Sequence, residues 1–290
     1  MTRIRKNLAI HMARMQSFIL QSLPVAEVET IARHVSEWTG QNPSHPLIAF
    51  ARTLADKATH VPNKFAENGE RALLDRIADL PFHQLFDLGA NIGTWSRHAV
   101  ERFPDADLHA FEIVPATFEI LRQNLTKAPR IHLNCFGLSN TDGKVAVHVY
   151  SSNLISSMFA LDSDKSSFSK VECEVRRGAQ YCTERGVHNI DALKIDVEGA
   201  EGAVLEGFEP MISERRVRLI QFEYNRGSIL GSFLLKHAFD FFTPRGYRLG
   251  KLTPAGVAFH EYHFAHEDFI GPNYVACRRD DTELIRRIEA

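Results

Sequence analysis

Leu85-Phe86-Asp87-Leu88-Gly89-Ala90-Asn91-Ile92-Gly93 is a short apolar run that breaks into a glycine turn, and a helical pattern from Thr94 to Arg102 follows it. Such a run entering a tight turn suits a buried parallel strand. A second strand, Leu108 to Phe111, ends in Glu112. That is about twenty residues after the turn, where a β-α-β unit sets an acid beside the ribose hydroxyls of a nucleotide. The stretch is a mononucleoside site in outline, with a plain strand-to-helix turn as the alternative.

The glycine spacing separates possible ligands. A dinucleotide fingerprint has a middle glycine that lets the backbone approach a pyrophosphate, whereas here Asn91 stands between Gly89 and Gly93 and Asp87 precedes both. An acid facing the turn repels pyrophosphate. It suits a ligand with an ammonium group and no phosphate, such as S-adenosylmethionine, whose carboxylate can use backbone N–H groups at the helix start.

The rest of the chain sets this unit in context. Its 290 residues are 44% hydrophobic and 24% charged with formal net charge -2, enough for one large domain with a helical extension. The near-neutral balance gives no electrostatic reason to expect nucleic acid as a partner. Cys135, Cys173, Cys182 and Cys277 lie far apart with no paired spacing, which suggests neither a zinc ribbon nor a disulfide framework and fits a reduced, cytoplasmic setting. Arg3, Arg5 and Lys6 precede a segment broken by His11, Arg14 and Gln16, so the apolar core of a signal peptide is missing, and no stretch is long and apolar enough to span a membrane. Ile4, Leu8, Met12, Met15, Ile19 and Leu23, then Val28, Ile31, Val35 and Trp38, then Leu47, Phe50, Leu54 and Ala58 recur at helical spacing between Pro24, Gly40 and Pro46. Three helices are expected there, as a cap on the domain or a homo-oligomer contact. The expected division is a helical extension over 1–66 and a catalytic domain over 67–290.

After Glu112 the alternation continues. A helix is expected over Ala116 to Ala128, a strand over Ile131 to Phe136, and a hairpin turn at Asn140-Thr141-Asp142-Gly143 leading into a strand from Lys144 to Tyr150. Residues 151–169 are rich in serine and asparagine and read as a substrate loop; Lys170 to Arg176 alternates again, ahead of a short helix, Ala179 to Arg185. Leu193-Lys194-Ile195-Asp196-Val197-Glu198-Gly199-Ala200-Glu201 is a strand, a turn and a helix start. Ligands in an open α/β sheet sit beyond the carboxyl ends of the strands, so one of Asp196 and Glu198 is expected in the same crevice as the glycine turn. A further strand, Val217 to Phe222, brings Glu223 to that edge, whereas Glu201 and Glu206 read as solvated helix charges.

These motifs, with Gly137-Leu138-Ser139 and Asp142-Gly143 between them, resemble the FkbM family of S-adenosylmethionine-dependent methyltransferases from about Asn68 to Arg278. The string from Lys194 to Glu201 is the specific part; the glycine turn is common to Rossmann-like methyltransferases. The resemblance implies an α/β, Rossmann-like class I methyltransferase fold, with a seven-stranded, mostly parallel sheet whose last strand is antiparallel. It also implies O-methylation of a sugar, glycan or polyketide-type hydroxyl. By position, Asp87, Gly89, Asn91 and Gly93 would line the methionine part of the cofactor, joined by Glu70. Glu112 would take the ribose hydroxyls, Ile113 and the backbone of Gly137 and Leu138 the adenine, and Asp196 would lie near the methyl sulfonium. Ile113-Val114 departs from the family pattern, which has small polar residues before Pro115.

An aliphatic hydroxyl is a poor acid, so methyl transfer to it needs a positioned base. Asp196 and Glu223 are the right residue types. A divalent cation on Asp196, Glu223 and Asn225 is a second, less favoured route, and no metal ligand is assigned. His260, His263 and His266 lack zinc-protease spacing; His263 enters as a catalytic candidate on a substrate-facing loop, with ordinary surface histidines as the alternative. The rival to an enzyme is a non-catalytic nucleotide-binding domain with a regulatory or assembly role. A nicotinamide dehydrogenase is disfavoured by the glycine spacing.

Overall fold

The computed structural model describes residues 25–40, 42, 44–51, 64–125, 130–150, 156–157 and 168–290. The first expected N-terminal helix, the end of the third and most of the serine-rich segment fall outside them. The chain divides into two compact units, Met1–Thr59 and His60–Ala290. In the first unit α1 runs Val25–Thr39 and residues 46–51 are helical. Trp38, at the end of α1, is exposed, with its ring 5.7 Å from that of His45.

The second unit begins with α2, Glu70–Ile77, and then alternates: β1 Gln84–Leu88, α3 Thr94–Arg102, β2 Asp107–Phe111, α4 Pro115–Leu125 and β3 Ile131–Asn134. An insertion follows, β4 Gly137–Ser139, β5 Gly143–Tyr150, β6 Ser156–Ser157 and β7 Phe168–Arg177. The alternation resumes with α5 Gly178–Arg185, β8 Ile190–Ile195, α6 Glu201–Gly207, α7 Glu209–Ser213 and β9 Val217–Glu223. The chain ends with α8 Gly227–Leu230, α9 Leu235–Phe242, β10 Tyr247–Thr253, β11 Gly256–Phe259, β12 Asn273–Arg278 and α10 Thr282–Ile288.

The main sheet has the order β11-β10-β12-β9-β8-β1-β2-β3. The five strands from β9 to β3 are parallel, and β12 is antiparallel to β9. Among the described residues the sheet therefore has eight strands rather than the seven expected. The turn at Pro254-Ala255 folds the chain straight back, and β11 adds an antiparallel edge to β10. The strand expected over Ile131 to Phe136 stops at Asn134. Asn134 is buried and donates its side-chain amide to the carbonyls of Ala110 and His132, closing β3, and β4 then starts a second sheet of order β4-β7-β5-β6.

Two-residue periodicity sorts the parallel strands onto two cores. Phe86, Leu88, Phe111, Leu193, Ile195, Ile220 and Phe222 pack with Tyr181, Phe208 and Tyr247 on one face. Leu85, Leu108, Ala192, Leu219 and Val275 pack with Leu74, Ile77, Trp95 and Ile288 on the other. Each such side chain removed from water contributes roughly 1.5 to 3 kcal/mol, and the sheet edge that carries the polar residues is held by this double burial.

His109 of β2 breaks the apolar pattern. Its ring stacks between those of Phe86 (4.6 Å) and His132 (4.4 Å), and its Nδ1 lies 2.7 Å from the Tyr181 hydroxyl. Burial, helped by the charge of His132, pushes its pKa down to about 4. An unfolded histidine titrates near 6.5, so the unfolded chain binds this proton more readily than the folded one. The stability involved is present above pH 6.5 and is lost as the pH falls through 4. A His109→Gln variant should lose less thermal stability than wild type between pH 6.5 and 4, by up to about 3 kcal/mol, in calorimetric melts at both pH values.

Candidate active site

The site lies where β1, β2, β8 and β9 end. Gly89 and Ala90 donate their N–H groups to the Phe111 carbonyl at 3.0 and 2.8 Å, and Asp196 donates its N–H to the Leu88 carbonyl at 3.0 Å, so the three strand ends are tied together. Gly89 has φ +76°, and a β-carbon there would stand 1.8 Å from the Asp196 carbonyl oxygen. No residue with a side chain fits that space.

A cavity opens beside this junction. Leu88, Gly89, Asn91, Phe111, Glu112 and Ile113 line one side, Asp196, Val197, Glu198 and Ala200 another, and Gly137, Leu138, Ser139, Val147 and Val175 of the second sheet close a third. Glu112 sits at its wall, one carboxylate oxygen accepting from the Asn91 N–H (3.0 Å) and the other from the Val114 N–H (2.9 Å). Burial raises its pKa even against these two donors. Gly137 lies so close to Ile113 that an added β-carbon would meet the Ile113 Cδ1 at 2.9 Å, which leaves the Ile113 side chain filling the place the family pattern gives to a small polar residue.

Glu70, Asp87 and Gly93 do not line the cavity. Asp87 is fully buried; its Oδ2 accepts from the Ser96 hydroxyl at 2.6 Å and its Oδ1 from Lys194 at 3.2 Å, so its carboxylate serves the interior rather than a ligand's ammonium. Glu70 is buried and accepts from Asn68 at 2.7 Å and from Gln221, with burial raising its pKa. Gly93 starts α3, and its α-carbon faces Leu121 and Leu125 of α4.

The acids of the second motif converge. Asp196, Glu198 and Glu223 each bring one carboxylate oxygen within 4.8 Å of the others, the group among the described residues most able to hold a cation. Both Asp196 and Glu198 line the cavity, where strand alternation would admit one, because Glu198 takes φ +54° and leaves the alternation. Burial, then the charges of Asp196 and Glu201, raises the Glu198 pKa to about 8. Burial followed by Asp196 and Glu198 raises that of Glu223 well above the carboxylate range, and its Oε2 is buried without a hydrogen-bond donor. The Asn225 Oδ1 accepts the Gly227 N–H at 2.6 Å.

Glu201 is not a solvated helix charge. It is 1% exposed and folds back to accept from the Val197 N–H (3.1 Å) and the Gly199 N–H (3.0 Å), which fixes the Glu198-Gly199 turn. Burial outweighs those donors and lifts its pKa to about 7. An acid in the first turn after a glycine is the sequence signal that marks this role. Glu206, by contrast, is exposed as expected.

His263 is exposed and does not line the cavity. Its Nδ1 accepts the Ala265 N–H at 3.2 Å and caps the short helical turn Phe264–His266. That loop is tied down by Glu267, which accepts from the hydroxyls of Tyr224 and Tyr262 and the N–H groups of Leu235 and Lys236. Sequence reasoning missed Val147 and Val175, whose alternation marks a strand but not the surface it covers, and Lys194, whose ammonium meets Asp87 and Asp196.

A parallel sheet with a glycine turn at β1, an acid at the end of β2 and acids at the ends of β8 and β9 defines a Rossmann-like class I methyltransferase domain. The chain matches the methyltransferase FkbM domain over residues 87–249 and belongs to that family. It is 30% identical over 166 residues to "Methyltransferase sdnD" of Sordaria araneosa, covering 46% of this chain and 63% of that protein. It is 25% identical over 162 residues to "2-O-methyltransferase NoeI" of Sinorhizobium fredii, covering 51% and 66%. It is 30% identical over 159 residues to "31-O-demethyl-FK506 methyltransferase FkbM" of Streptomyces tacrolimicus, covering 44% and 60%. The matched region thus spans less than two thirds of each of these relatives. No helix among the described residues is long and apolar enough to cross a membrane.

Substituting Gly89→Ala should open the β1–β8 junction. The β-carbon cannot enter without displacing the Asp196 carbonyl, and a positive φ adds strain of about 1 kcal/mol or more. A melting temperature lowered by several degrees, with S-adenosylhomocysteine binding lost in calorimetry, is the expected result; an unchanged melt and affinity would contradict the geometry.

Proposed function

We propose that this chain is an S-adenosylmethionine-dependent O-methyltransferase acting on a hydroxyl of a sugar, glycan or polyketide-type natural product. The observation that carries the reading is the meeting of Glu112 and Asp196 on one cavity across the Gly89 turn. The fit to the cofactor rests on that cradle, where Glu112 at the wall offers acceptor lone pairs to a diol and Ile113, Leu138, Val147 and Val175 line an apolar slot. When bound, S-adenosylmethionine supplies the electrophilic methyl group.

The chain's part is alignment and proton removal. Asp196 stands at the wall with one carboxylate oxygen free of protein donors among the described residues and accepts the hydroxyl proton as general base. Glu198 and Glu223 stand beside it, their pKa values raised chiefly by burial. His263, exposed and engaged in its own turn, takes no part in this step. The 2-O- and 31-O- positions in the relatives' names support oxygen as the acceptor atom. Oxygen donors from Asp196, Glu198 and Glu223 favour a hard divalent cation as a second reading.

Calorimetry should show S-adenosylhomocysteine binding, and Glu112→Ala should weaken it by roughly 1.5 to 3 kcal/mol, the range for hydrogen bonds to a charged group, without unfolding the protein. Equal affinity in the two proteins would remove Glu112 from the cofactor site.

Methyl transfer is to be screened with 31-O-demethyl-FK506 and a panel of neutral oligosaccharides. With an acceptor from that screen, Asp196→Asn should cut the rate at saturating cofactor on the order of a hundredfold. Inhibition of wild type by EDTA, reversed by magnesium, would favour the cation reading, and full activity of Asp196→Asn would refute the base.

A further inference from the structure

Lys194 is a charged residue in the middle of a buried parallel strand, 5% exposed. Across the sheet it is in register with Asp87 of β1 and Gln221 of β9. Its ammonium lies 3.2 Å from Asp87 Oδ1 and 3.2 Å from Asp196 Oδ2. The two acids differ in position. Asp87 is 0% exposed and closed from the other side by Ser96, whereas the Asp196 side chain is 35% exposed and lines the cavity. Lys194 thus reaches from an interior anchor to the cavity wall.

The backbone of Asp196 is already fixed by its N–H bond to Leu88. What remains is rotation of the side chain, in a neighbourhood crowded by the carboxyl groups of Glu198 and Glu223. We propose that Lys194 is the positioning residue of this site, holding the Asp196 carboxylate by Oδ2 so that Oδ1 faces the cavity. The proposal rests on the reading of Asp196 as general base. Lys194 is not itself the base: burial alone would favour its neutral form, but Asp196, Asp87 and Glu70 outweigh burial and keep the proton on it.

The test uses the full chain, S-adenosylmethionine and the acceptor returned by the screen. Lys194→Met should lower kcat on the order of a hundredfold, the cost of a misaligned catalytic group, while the KM for S-adenosylmethionine stays within about twofold. Lys194→Arg should recover a substantial part of kcat. In an Asp196→Asn background, Lys194→Met should cost less than about threefold more, since the two residues act as one unit. Lys194→Met leaves Asp87 buried without its cation; if that variant fails to fold, Lys194→Met with Asp87→Asn removes the pair together and should show the same kcat loss with an unchanged KM. A kcat within threefold of wild type in a folded Lys194→Met protein, or in the double variant, overturns the proposal while Asp196→Asn stays inactive. Additive losses in the Asp196→Asn background also overturn it. An active Asp196→Asn enzyme instead refutes the base, and the positioning role with it.

Discussion

The carbonyl oxygen of Asp196 occupies the space that a side chain on residue 89 would need, and the rest of the site follows from that contact. It brings the end of β8 against the turn after β1, so the Glu112 wall and the Asp196 wall stand on opposite sides of one cavity. Three backbone hydrogen bonds, from Gly89, Ala90 and Asp196, lock the arrangement from within the sheet. The double-sided apolar burial of the parallel strands then makes these ends rigid.

On that frame the molecule gathers more acid than base. Among the described residues, Glu70, Asp87, Glu112, Asp196, Glu198 and Glu223 gather near the buried cation Lys194, with Glu201 beside Asp196. Removing carboxylates from water costs several kcal/mol each unless partners replace the lost hydration. The structure meets this cost in two ways. Glu112 and Glu201 accept backbone N–H groups and Asp87 accepts from Ser96 and Lys194, while Glu198 and Glu223 are driven toward their neutral forms. Acids placed under such strain in a cavity are typical of sites that move protons or bind positive charge.

The inserted second sheet changes what the cavity touches. Val147 of β5 and Val175 of β7 line the same space as Ile113 and Leu138, giving the cavity an apolar wall beside its acids. A nucleoside-shaped ligand needs both, a flat apolar slot for its base and polar anchors for its sugar.

The sequence by itself determined the β-α-β unit, the glycine turn, the acids at the ends of β2, β8 and β9, and the family. These are local patterns: apolar runs of strand length, glycines where φ turns positive, and acids at fixed spacing from them. The tertiary structure decided which acids look outward. Asp87 and Asp196 are both acids near a strand end ahead of a glycine, yet Asp87, inside β1, is sealed by Ser96 and Lys194 while Asp196, just past the end of β8, meets the cavity. Glu201 looked like a surface charge until the turn it caps was folded beneath it, and His263 looked catalytic until its loop was fixed away from the cavity wall by Glu267. The eighth strand and the split after Asn134 depended on pairing between distant segments. Spacing along the chain fixes which side of a strand a residue takes, but whether that side meets solvent, ligand or another carboxylate is set by partners that only the folded sheet brings within a few ångströms.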